Sequence, residues 1–164
     1  MSGAVALCLC GQVSAQEARG FPDADGPFSA ALVVVDDTGM AQFTAPSDEG
    51  LRLKAISEVG VNFPVHVKLL FTGMALRDDF GRVEYDIRIL TPDGKTYAEH
   101  KGLQAFRGAT TRADQIFNNS ATLTVRFDPT DVSGEYRIHV TAHDLIGDRH
   151  VPLHQTLRLV KPDQ

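Results

Sequence analysis

Apolar and polar residues alternate with a period of two through most of this chain. The clearest case sets Tyr136, Ile138, Val140 and Ala142 against Arg137, His139, Thr141 and His143. A period of two sends successive side chains to opposite faces of a strand, so this segment predicts a half-buried strand with its apolar set inward. The same repeat recurs upstream. Leu51, Leu53 and Ala55 alternate with Arg52 and Lys54, and Phe63, Val65, Val67, Leu69 and Phe71 alternate with Pro64, His66, Lys68, Leu70 and Thr72. Val83, Tyr85, Ile87 and Ile89 alternate with Glu84, Asp86 and Arg88, and Leu123, Val125 and Phe127 with Thr122, Thr124 and Arg126. Pro64 donates no ladder hydrogen bond, which puts it at a strand start or on an edge. A short apolar run at Ala30–Val35, an irregular strand over Tyr97–Phe106 and a last strand burying Val151, Leu153, Leu157 and Leu159 complete the series. With turns at Asp36–Gly39 and Thr91–Gly94 and no amphipathic helix of useful length, the pattern predicts an all-β fold. Its form is a single antiparallel β-sandwich of about 7–9 strands.

Just before the clearest strand stands Asp131-Val132-Ser133-Gly134-Glu135-Tyr136. This run resembles the D-x-[SA]-G-x-Y segment at the E–F corner of immunoglobulin-like and fibronectin-like sandwiches, where the Tyr hydroxyl bonds back to upstream backbone. The resemblance implies structural roles for Asp131, Gly134 and Tyr136, whereas Tyr85 is expected to make no such bond. It departs from immunoglobulin domains proper at Ile138, which stands where their second Cys would be, and in the absence of any Trp. What it implies is therefore an immunoglobulin-like sandwich without a disulfide, and no function.

A chain of 164 residues suits one domain. Its net charge of −5 argues against a nucleic-acid partner, which needs a basic face to neutralise phosphates. Residues 1–15 combine an apolar run, Ala4–Cys10, with small residues at Val13-Ser14-Ala15, the pattern of a signal peptide cleaved before Gln16. Export to the periplasm or outside the cell is the expectation, with no transmembrane segment in the mature chain, because the run is far short of the roughly 20 residues needed to span. Cys8 and Cys10 are the two cysteines, and both fall within that segment. Residues 16–29, rich in Gly, Pro and Asp, are expected to be a flexible N-terminal segment, and 30–161 the sandwich.

Two connections are longer than a turn requires, and loops at the ends of a sandwich are where binding commonly resides. Gly73–Arg82 presents Asp78, Asp79 and Phe80; Arg107–Ser120 carries Ile116 and Phe117 among polar residues. The alternative for Ile116 and Phe117 is a plug, folded back by a helical turn that Thr111 and Asp114 would cap. The C-terminal hairpin has the chemical potential. If residues pair with a constant sum of 293, His143 faces His150 and His139 faces His154 on the polar side. Two opposed imidazoles can share Cu or Zn, and Asp144 or Asp148 could add an oxygen ligand. The two pairs lie four residues apart, about 13 Å, so they are two clips and not one site. No nucleophile elbow, phosphate loop or zinc-protease motif is present, so no enzyme and no cofactor are expected. The expectation is a non-catalytic module for protein binding, an adaptor or an envelope-structural role, with another envelope or extracellular protein as partner. A metal-handling protein using the His hairpin is the alternative, and a glycan-binding module the third.

Overall fold

The computed structural model describes residues 21–44 and 54–162. The signal segment, both cysteines and the Leu51–Leu53 part of the expected second strand lie outside the described residues. Among the described residues, ten strands and one short helix follow in order: β1 (Asp23–Asp25), β2 (Phe28–Val35), α1 (Asp37–Ala41), β3 (Glu58–Gly60), β4 (Pro64–Thr72), β5 (Phe80–Leu90), β6 (Thr96–Ala109), β7 (Phe117–Asn118), β8 (Leu123–Arg126), β9 (Gly134–Asp144) and β10 (Arg149–Val160). They form two sheets. One runs β1-β2-β4-β7, with β8 also pairing β4; the other runs β3-β10-β9-β5-β6. Every pairing is antiparallel except β3 beside β10.

The inward sets of the two sheets meet in one core that includes Val67, Leu69, Phe71, Tyr85, Ile87, Ile138, Val140, Leu153 and Leu157. At its lower end Tyr97, Phe127 and Tyr136 pack ring to ring, with centroids 4.6–5.4 Å apart. Tyr136 hydroxyl donates to the Val132 carbonyl at 2.9 Å, four residues upstream. Asp131 Oδ2 accepts from Tyr97 Oη at 3.0 Å and from Asp128 N–H at 2.8 Å. Burial and the Asp131 carboxylate together push the Tyr97 phenol up to about 12. Gly134 holds φ +135°, a conformation that L side chains rarely adopt. Replacing Tyr136 by Phe removes the hydroxyl bond and leaves the Val132 carbonyl unpaired. Tyr136→Phe should therefore unfold with a loss of about 1–3 kcal/mol in denaturant titration; an unchanged midpoint would mean the corner bond contributes nothing.

The structure corrects several expectations. Tyr85 makes no corner bond, but its hydroxyl is not free: it donates to Ala121 O at 2.5 Å, 36 residues downstream, and accepts from Asn119 Nδ2 at 3.2 Å. Residues 23–29 are not part of a flexible segment, because Asp23–Asp25 turns back on β2, which begins at Phe28 and not at Ala30. The aperiodic composition there reflects a tight hairpin, not a linker. The expected turn at Asp36–Gly39 is instead the N-cap and first turn of α1: Asp36 precedes the helix and its Oδ1 accepts the Gly39 N–H at 2.8 Å. Phe63 falls outside β4 and is 67% exposed. On the opposite face of β4, Lys68, Leu70 and Thr72 are buried and not solvent-facing. The segment from Ala113 to Thr122 folds over that face: Thr72 Oγ1 donates to Asp114 O at 3.0 Å, and Lys68 Nζ donates to Asn119 O at 2.9 Å and Thr122 Oγ1 at 3.1 Å. Period-two arithmetic reads which face a residue is on; what lies above that face comes from elsewhere in the chain.

Candidate functional site

Three loops meet at the end of the sandwich where β4, β6 and β9 finish and β5, β7 and β10 begin. Backbone bonds join the first two loops to each other and the third to the start of β5. Gly73 N–H donates to Ala113 O at 2.7 Å, Thr110 N–H to Asp79 O at 2.7 Å, and Leu145 N–H to Arg82 O at 3.0 Å. Gly73 sits at φ +72°, and a Cβ there would come within 1.8 Å of the Pro27 carbonyl oxygen, so this crossing requires Gly.

Asp144 holds the set together. Its side chain is 0% exposed; Oδ2 accepts from Ala75 N–H at 2.8 Å, while Oδ1 accepts from Ile146 N–H at 3.3 Å and Gly147 N–H at 3.1 Å. Arg149 Nη1 stands 3.7 Å from Oδ2. Gly147 has to be small, because a Cβ would lie 2.3 Å from that same oxygen. Asp144 is therefore not the metal ligand anticipated from its place in the turn. It points to the core side of β9, away from the histidines, and its lone pairs serve backbone donors.

On this support the tip residues project outward. Asp78 and Asp79 occupy the two central positions of a hairpin closed by paired Arg77 and Phe80 backbone bonds, both at 3.0 Å, with φ +52° and +59°. That is the geometry of a type I′ turn, which favours Gly and Asn. The tip presents both carboxylates to solvent. Asp79→Gly should relieve the left-handed strain and stabilise the protein by about 1 kcal/mol, a melting increase of about 3 °C in calorimetry. No gain in melting temperature would mean that the carboxylate stabilises the turn as much as its φ costs.

Phe80 (38% exposed), Ile116 (57%) and Leu145 (43%) are the large apolar side chains left open at this end. Phe117 behaves differently: it stacks on Phe71 at 5.7 Å and packs against Phe106 at 4.9 Å. So the plug and the contact residue are neighbours, Phe117 inward and Ile116 outward. The turn holding them is set by Thr110, whose Oγ1 accepts Arg112 N–H at 3.1 Å, and Asp114 instead pairs with Arg112 at 3.1 Å; Thr111 does not cap it. Asn119, absent from the sequence expectations, is buried and bridges β4 to the approach to β8. Its Oδ1 accepts from Leu69 N–H at 3.0 Å and its Nδ2 donates to Ala121 O at 2.8 Å. An Asn in a polar loop carries no sequence signal for such a role.

The His hairpin has the register its spacing demands, His150 opposite His143 and His154 opposite His139. The His143 and His150 rings stand edge to face with centroids 5.8 Å apart, and His143 Nε2 lies 3.2 Å from Asp86 Oδ2. Among the described residues, no three His, Cys, Asp or Glu side chains gather as a metal-holding group. Asp148, at φ +51° in the β9–β10 turn, joins no such group.

The strand order, with β3 parallel to β10 and the corner at Tyr136, defines an immunoglobulin-like β-sandwich. No family model matches the chain, and no curated protein matches it. Solved structures of similar shape include a Niemann-Pick type C2 protein from the Japanese carpenter ant, at 13% identity over 81% of this chain and 91% of that one, TM-score 0.44. The C-terminal domain of wzt matches at 14% identity over 82% and 75%, TM-score 0.48. An immunoglobulin-like protein from Pseudomonas aeruginosa matches at 15% identity over 87% and 99%, TM-score 0.34. Likenesses at this level carry no activity with them. Among the described residues no helix is long and apolar enough to cross a membrane.

Proposed function

We propose that this chain is an exported, non-catalytic binding or adaptor module that engages another envelope or extracellular protein with its loop end. The observation that carries the reading is the contrast at that end. The loop backbones are bonded to one another, to β5 or to a buried carboxylate, while Phe80, Ile116 and Leu145 remain exposed at the same end as Asp78 and Asp79. Rigid loops presenting apolar anchors lose little entropy on binding, which is what a preformed contact surface needs. The test compares captures from an envelope fraction by wild type and by a Phe80→Ser, Ile116→Ser, Leu145→Ser variant of equal stability. A partner retained equally by both would place binding elsewhere. Export is tested by the mass of the natively expressed chain, expected to begin at Gln16; an intact cytosolic N-terminus would overturn it.

The second reading is metal handling, favoured by the facing His143 and His150 with Asp86 alongside. If it holds, calorimetry with Cu²⁺ or Zn²⁺ should show binding at pH 7.5 that is lost on acidification to pH 5.5, since an imidazole nitrogen ligates only when it carries no proton. His143→Ala should abolish it and His139→Ala should not, the pairs being about 13 Å apart. Binding no tighter than millimolar would mark opportunistic imidazoles.

A further inference from the structure

At the opposite end of the sandwich a cleft of about 330 Å³ opens between α1, β3 and the start of β4. Its wall is apolar where Val59, Phe63 and Pro64 line it, and acidic where Asp36, Asp37 and Glu58 do. Phe63 is the most exposed large apolar side chain among the described residues. It is presented there by Asn62, which is held at φ +67° with its N–H on the Phe127 carbonyl at 2.7 Å. The three carboxylates are each engaged through one oxygen only among the described residues. Asp36 Oδ1 caps Gly39, Asp37 Oδ1 meets His66 Nε2 at 2.8 Å, and Glu58 Oε1 lies 4.0 Å from Arg158. That last pair is more than 60% exposed on both sides and so is weakly held.

We infer that this cleft receives an arginine side chain of a partner protein. A guanidinium is the cation that fits both walls: its planar fork takes paired carboxylate oxygens, and its face stacks on an aromatic ring such as Phe63. The aliphatic stem would cover Val59 and Pro64. A volume of about 330 Å³ suits one side chain or a small ligand and is too small for a folded element. The site lies at the other end from Phe80 and Leu145, so it is independent of the loop-end reading.

The probe is a blocked tetrapeptide, acetyl-Gly-Arg-Gly-Gly-amide, titrated into ¹⁵N-labelled protein, with its citrulline and lysine counterparts as controls. Saturable shifts should centre on the amides of Val59, Gly60 and Phe63, weaken as salt is raised, and fall at least fivefold in affinity in Glu58→Gln and in Phe63→Ala. Lysine should bind more weakly than arginine, and citrulline not at all. Equal binding of the citrulline peptide, shifts confined to the loop end, or no shift at 20 mM peptide would each overturn the proposal. Phe63 is solvent-exposed, so loss of fold is not expected in Phe63→Ala, and the unperturbed remainder of the spectrum checks this directly.

Discussion

Asp144→Ala should cost about 3–5 kcal/mol of stability, more than any substitution of an exposed loop residue. Three backbone N–H groups, on Ala75, Ile146 and Gly147, lose their acceptor at once, and Arg149 loses the carboxylate beside it. Removing one side of a buried charged network costs its partners their desolvation as well as the bonds. Asp144→Asn keeps the shape and one carbonyl oxygen and should lose only about 1–2 kcal/mol. Because Ala75 and Gly147 belong to two different loops, hydrogen exchange in Asp144→Ala should quicken at 74–76 and 145–148 together. A loss of protection confined to the β9–β10 turn would mean that Asp144 is only a turn residue.

Lys68→Met should act in the other direction. Lys68 is 2% exposed and its ammonium has a carbonyl, a hydroxyl and the Phe43 ring nearby, with no carboxylate partner among the described residues. Burial alone lowers its pKa from 10.5 to about 8. Below pH 8 the folded protein carries the charge at a cost of about 3 kcal/mol, each pKa unit being about 1.4 kcal/mol. Between pH 8 and 10.5 the unfolded chain holds more proton at Lys68 than the folded one, so this residue's contribution to wild-type stability should rise with pH across that window. Met removes the charge but also two hydrogen bonds, leaving a net gain of about 1–2 kcal/mol at pH 7. Urea melts from pH 7.5 to 9 make the comparison where tyrosines of the unfolded chain, with a pKa of about 10, remain largely protonated. A wild-type profile as flat as that of Lys68→Met would show that the ammonium is hydrated and not buried.

Much of the fold was legible along the chain because a strand's side chains alternate strictly. The inward sets of β5, β9 and β10 follow directly from their residues, and so does the pairing of His143 with His150, since an antiparallel ladder keeps a constant sum once one pair is placed. The corner was legible too, as a local motif whose bond spans four residues. Local periodicity and local motifs determined an all-β sandwich with polar histidines on one outer face. What lies over a face, and what a turn carboxylate reaches, depends on segments distant in sequence. Asp144 meets Ala75 across 69 positions, Lys68 meets Asn119 across 51, and Asn119 in turn bonds Tyr85 across 34. Only the tertiary structure decided that Asp144 is a hub and not a ligand, that Lys68 is buried, and that Phe63 stands open beside three carboxylates. The physical reason is that hydrogen-bond satisfaction and burial are properties of whatever packs alongside, and no period within one strand encodes its neighbour.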